Sequence, residues 1–205
     1  MRFVLASRSP ARLATLQAAG IEPEVLVSDV DEDSLLAGMP DASPQQKVIA
    51  LAEAKAREVS AQIGPDAGEA VVIACDSMFE MDGEVRGKPA DAQDAVRRLR
   101  QMRSNHGTLH TGHHVIAGER SASAAASTEV HIGPMTDEEI AAYVATGEPL
   151  HVAGSFTIDG LGGWFIEKLE GDHTNVVGIS LPLVRRMLLD LDIDITQYFN
   201  KLSYA

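Results

Sequence analysis

The chain has 205 residues, 45% of them hydrophobic and 23% charged, with a formal charge of −13. That length suits one domain or two small lobes, and the acidic balance excludes a broad, non-specific hold on nucleic acid, which takes a basic surface. No apolar run reaches the roughly 20 residues that cross a bilayer, the stretch from Met1 to Ser7 is too short for a signal peptide, and the single cysteine, Cys75, precludes an intramolecular disulfide. The expectation is a cytoplasmic protein with no membrane and no nucleic-acid partner.

Arg2 to Ala6 reads as a short buried strand. Ser9-Pro10 then opens a helix, with serine as N-cap and proline at the first helical position, and Gly20 ends it. Glu24 to Val27 suggests a second strand, followed by an acidic loop from Ser28 to Asp33. Ser43-Pro44 opens another helix, whose stripe of Val48, Leu51, Ala52, Ala56 and Val59 is interrupted by Lys55. Ala70 to Cys75 is a continuous apolar run, the pattern of a strand buried on both faces, and it ends in Asp76-Ser77. Met78 to Val85 contains the hairpin signal Asp82-Gly83.

Asp91 caps a helix carrying Ala95, Val96, Leu99 and Met102. Strands follow over Thr108 to Ala117 and Ser127 to Ile132, and Thr136 with Glu139 forms a capping box for the next helix. Gly160-Leu161-Gly162-Gly163 precedes a strand from Trp164 to Leu169, then a helix from Leu181 to Leu189 and a short C-terminal helix. This order predicts an α/β fold, a mixed sheet flanked by helices, in a single domain over residues 1–205 with room for two lobes around a central cleft.

Four stretches could carry chemistry. Ser7-Arg8-Ser9-Pro10-Ala11-Arg12 puts hydroxyls and guanidinium groups at a helix N-terminus, a good place for phosphate; an ordinary N-cap with surface arginines has the same look. Asp76 follows the most apolar strand and, if that strand is central, emerges at its carboxyl end, where open α/β sheets place ligands. There it could hold a metal or take a proton from water, or be a turn aspartate. Gly87-Lys88-Pro89 offers a stiffened loop lysine for phosphate or a plain surface lysine. The acidic loop could supply oxygen ligands to Mg²⁺ or stay solvated. His110 and His114 share a strand face but lie about 13 Å apart at roughly 3.3 Å per residue, and His113 points the other way, so zinc is set aside. Cys75 reads as a small buried hydrophobe.

Taken in order, LASRSPARLATLQAAGI, VDED, ALAEAKA, ACDSM, GKPAD, YVATGEPL, AGSFTIDGLGGWFIEKLEG and NVVGISLPL resemble the Maf family of nucleotide pyrophosphatases, from Phe3 to about Leu189. The resemblance implies an elongated mixed-sheet fold related to the inosine triphosphate pyrophosphatases. It also implies cleavage of a nucleoside triphosphate between its α- and β-phosphates, a divalent cation (Mg²⁺ or Mn²⁺) and a homodimer. By motif position Asp76 matches the proton acceptor, Ser9 and Arg12 the phosphate-contacting motif, and Glu32, Lys55 and Lys88 polar residues of the active site. The physical roles then assemble: Glu32 and Asp76 hold the metal, and Lys55, Lys88, Arg12 and the helix N-terminus stabilise the leaving pyrophosphate.

Family subgroups differ at three places, occupied here by Ala11, Ser77 and Asp159. These match neither the thymidine/uridine-triphosphate pattern (Arg, Thr, Gln) nor the 7-methylguanosine-triphosphate pattern (Trp, Gln, Glu). Ionised Asp159 only accepts hydrogen bonds, which points to a donor-rich base edge such as guanine. The rival reading is a nucleotide-sensing interaction protein of septum formation and cell division, after the association that named the family.

Overall fold

The computed structural model describes residues 1–64 and 69–199. Among these residues, seven strands form one sheet: β1 (Arg2–Ala6), β2 (Glu24–Leu26), β3 (Ala70–Met81), β4 (Glu84–Arg86), β5 (His106–Ala117), β6 (Arg120–Ile132) and β7 (Ile166–Glu170). Their order is β2-β1-β3-β5-β6-β7, with β4 also on β3. β1 runs parallel to β2 and β3, and every other pairing is antiparallel. The sheet is mixed, as the sequence pattern predicts.

Seven α-helices accompany it among the described residues: α1 (Pro10–Ala18), α2 (Glu32–Ala37), α3 (Pro44–Ile63), α4 (Ala92–Met102), α5 (Asp137–Ala145), α6 (His173–Val177) and α7 (Leu181–Asp190). None is long and apolar enough to cross a membrane. The strand β3 spans about 40 Å at roughly 3.3 Å per residue and passes through separate cores. Val71, Ile73 and Cys75 pack with α1 and α7 on one face. Val72 and Ala74 meet Ala56 and Val59 of α3 on the other. Farther along, Phe79 and Met81 join Leu99 and Met102 of α4 and Ile140 and Tyr143 of α5. Asp76 lies where the first two cores end and the third begins.

The structure corrects four sequence expectations. The acidic stretch is a loop only up to Asp31, whose carboxylate caps α2 by accepting from the Ser34 N–H (3.0 Å) and hydroxyl (2.6 Å). Asp76 does not end its strand, because β5 pairs with β3 on through Glu80. β6 begins at Arg120 rather than Ser127: its Ala/Ser-rich half has weak strand propensity, and the hairpin with β5 overrides it. The predicted strand start at Trp164 is a 3₁₀ turn over Leu161–Phe165, and β7 begins at Ile166.

Candidate active site

The candidate site forms where β3 has an edge with no strand partner among the described residues. One side of β3 is paired with β5 from Val71 to Glu80. The opposite side pairs with β1 over residues 70–74 and with β4 over 79–81. Residues 75–78 lie between, and their backbone groups on that side need other partners.

Arg12 of α1 fills this gap. Its Nη1 donates to the Cys75 carbonyl (2.8 Å) and to Ser7 Oγ (3.2 Å). Its Nη2 donates to Ser77 Oγ (3.0 Å) and its Nε to the Gly178 carbonyl (2.7 Å). Four of the five guanidinium N–H groups are thus spent on protein. The chain of bonds continues inward. Thr111 Oγ1 donates to the Asn175 carbonyl (3.1 Å), so the 2.9 Å bond between Ser77 and Thr111 runs from the Ser77 hydroxyl. Ser9 acts as the N-cap of α1, accepting from the Arg12 N–H (3.3 Å), while its own N–H donates to Ser7 Oγ (3.1 Å). Ser7 belongs to the stretch singled out in the sequence, yet its buried position against Arg12 appears only once β1 turns into α1.

Asp76 faces the other side of the sheet. Its cross-strand partner is Gly112. A Cβ at Gly112 would stand 2.2 Å from the backbone of Val48 in α3, so glycine is required for α3 to lie this close. Residues directly opposite across strands share a face, which turns Asp76 toward α3. Lys55 follows Leu51 by one helical turn on the buried stripe of α3. Its ammonium contacts the Asp76 carboxylate and lies 2.7 Å from Glu32 Oε1 in the first turn of α2. Lys55 and Asp76 are each only 13% exposed, whereas Glu32 is 49% exposed. One ammonium between two carboxylates leaves a net negative charge at the free edge.

This convergence fits a divalent cation by donor chemistry. Two carboxylates from separate elements meet at one cationic point, and Mg²⁺ needs only one or two when phosphates supply the remaining oxygens. A second grouping, Glu129, His131 and Glu170, has metal-compatible spacing on the β6–β7 pair. There Lys168 Nζ already holds Glu170 Oε1 at 2.6 Å, and the group reads as a cross-strand charge cluster.

The remaining candidates sort by position. Ala11 lies in the first turn of α1, beside Arg12. Lys88 and Asp159 are exposed and make no side-chain hydrogen bond or ion pair among the described residues. The β5 histidines take separate partners: His110 bonds Ser127 and Glu80, and His114 bonds Ser123. Burial pushes the Cys75 thiol up to about 12, so it stays protonated and non-nucleophilic. Glu148, to which the sequence assigns no role, collects four donors: the Tyr143 and Thr157 hydroxyls and the Leu161 and Gly162 N–H groups.

His113 Nε2 accepts from the Ser180 N–H at 2.8 Å and so supports the loop whose Gly178 carbonyl holds Arg12. Burial, then the Arg12 charge, brings the His113 pKa down to about 4. An unfolded histidine titrates near 6.5, so the unfolded chain takes the proton first, and stability present above about pH 6.5 is lost toward pH 4. Urea unfolding at pH 7 and pH 4.5 is expected to show wild type losing more stability than His113→Gln, by about 2–3 kcal/mol. Equal losses would clear His113 of this role.

Residues 2–191 match the family model described as Maf-like protein. A protein of Streptomyces avermitilis named nucleoside triphosphate pyrophosphatase is 57% identical over 198 residues, 96% of this chain and 93% of its own length. The like-named protein of Streptomyces coelicolor is 54% identical over the same shares. Among solved structures, the Staphylococcus aureus Ham1 protein is 13% identical with a TM-score of 0.46, over 93% of this chain and 100% of its own.

Proposed function

Because the chain belongs to the Maf-like protein family, we propose that it hydrolyses nucleoside triphosphates to the monophosphate and pyrophosphate. The observation that carries this reading is the Glu32–Lys55–Asp76 cluster at the free edge of β3. It sets one ammonium between two carboxylates, from α2 and β3, at that edge.

In this reading Asp76 accepts a proton from water as the water oxygen bonds to the α-phosphorus. The bond from that phosphorus to the bridging oxygen breaks, and pyrophosphate leaves with its electron pair. Lys55 stabilises the charge on the leaving group, and Lys88 reaches it from its exposed loop. The N-terminus of α1, capped by Ser9, offers free N–H groups to phosphate. Arg12 serves mainly as a strut: it holds Cys75 and Ser77 on either side of Asp76. Glu32 and Asp76 would hold Mg²⁺ or Mn²⁺, which when bound neutralises phosphate charge and lowers the pKa of water. Ala11, Ser77 and Asp159 face the nucleoside, the two groups of cores act as lobes, and Asp159 favours a base edge rich in donors.

Purified protein with common, methylated and deaminated nucleoside triphosphates, in Mg²⁺, Mn²⁺ or EDTA, tests each part. Pyrophosphate release is expected with either metal, to be lost in EDTA, and to be greatest for guanine-type bases. Full turnover in EDTA would remove the metal, and equal turnover across bases would remove the Asp159 preference.

A further inference from the structure

Both ends of the loop over residues 157–162 are tied to one side chain. Glu148 Oε1 accepts from the Tyr143 hydroxyl (2.9 Å), the Thr157 hydroxyl and the Gly162 N–H (3.0 Å). Its Oε2 accepts from the Leu161 N–H (3.0 Å). The Tyr143 hydroxyl in turn accepts from the Thr157 N–H (3.2 Å). The loop is drawn so tightly that a Cβ at Gly162 would stand 2.5 Å from both the Thr157 carbonyl and the Tyr143 hydroxyl, and one at Gly160 would stand 2.6 Å from Glu148 Oε2. Burial alone would raise the Glu148 pKa, but the bonds from Thr157, Leu161, Gly162 and Tyr143 outweigh it and hold the carboxyl below its ordinary value. Asp159 sits at the middle of this closed loop, exposed and without a side-chain partner among the described residues.

We infer that Glu148 is a positioning residue for base selection: it presets residues 157–162 so that Asp159 meets the nucleobase, and it touches no phosphate. The inference rests on the proposed reading of Asp159 as base-facing. A free carboxylate on a slack loop would lose orientational freedom on each binding event, whereas a loop fixed beforehand does not. A glutamine at 148 keeps the shape but has one acceptor oxygen where the carboxylate has two, so the loop would lose part of its tether while the free edge of β3 stays intact.

The test compares wild type, Glu148→Gln and the milder Thr157→Val. Kinetics are measured for each base, and dissociation constants for non-hydrolysable α,β-methylene triphosphates and for inorganic tripolyphosphate, which has no base. Binding is followed by isothermal titration calorimetry and by the emission of Trp164, the sole tryptophan, 87% exposed and five residues beyond Asp159. In Glu148→Gln, KM and the analogue dissociation constants for the preferred base should rise about tenfold, the loss falling on KM rather than kcat. The preference between bases should shrink toward one, tripolyphosphate affinity should hold, and Thr157→Val should move the same way less far. Weakened tripolyphosphate binding, or a kcat loss equal for all bases, would mean a merely structural carboxylate. An unchanged base preference in both variants would overturn the inference too. The binding measurements need no turnover, so a protein that releases no pyrophosphate would defeat the hydrolase reading while the analogue affinities still decide this one.

Discussion

Lys55→Met is expected to lower kcat/KM by about 10²–10³, the usual cost of removing one donor from developing transition-state charge. Methionine retains the apolar bulk of the lysine stem along the α3 stripe, so packing against β3 survives while the ammonium is lost. The two carboxylates left behind repel one another. Half-exposed Glu32 can turn to water, whereas Asp76, at 13% exposure, cannot do so fully. The expected penalty is therefore a loss of roughly 1–2 kcal/mol, below the 3–5 kcal/mol typical of breaking a fully buried pair.

The same variant should bind free Mn²⁺ more tightly than wild type in the absence of nucleotide, because the competing ammonium is gone. Steady-state kinetics, circular dichroism at the assay temperature and electron paramagnetic resonance of Mn²⁺ separate these effects. Full activity in a folded Lys55→Met protein would end the catalytic assignment. Unchanged Mn²⁺ affinity would end the view that Lys55 occupies the cation position.

Asp76→Asn carries the second large effect. The amide matches the carboxylate in size, and its oxygen can still accept from Lys55, so the fold and the Lys55 position should persist. It cannot take a proton from water, and general-base contributions of about 10²–10⁴ set the expected drop in kcat. At saturating metal, KM should move far less, since Glu32 remains for the cation and Lys55 and the N-terminus of α1 remain to bind phosphate. Retention of more than about a tenth of wild-type kcat would contradict the proton-acceptor role.

Local signals made much of this legible. The serine–proline starts of α1 and α3 and the Thr136 capping box were readable because each cap satisfies its own helix within a few residues. Lys55 stood out as a charge on an apolar stripe, and it does meet Asp76 and Glu32. What stayed hidden depends on distant partners. The continuation of β3 through Asp76 is enforced by β5 and by the missing Cβ of Gly112, neither of which leaves a trace around residue 76. The bonds from Arg12 to Cys75 and Gly178 leave no local trace because they span 63 and 166 residues of chain. Glu148 has no local signature, since two of its donors are backbone N–H groups of a turn that reads only as glycine-rich. The grouping of Glu32, Lys55 and Asp76 follows from the family resemblance rather than from spacing, because the three lie on separate elements.

The central claim, cleavage between the α- and β-phosphates by a water that Asp76 activates, is tested most directly by ³¹P NMR of the products formed in ¹⁸O-enriched water with the best nucleotide and metal. The account predicts equal amounts of monophosphate and pyrophosphate, with ¹⁸O on the monophosphate and no such products from Asp76→Asn at matched times. Diphosphate with orthophosphate, or ¹⁸O in the pyrophosphate, would contradict it.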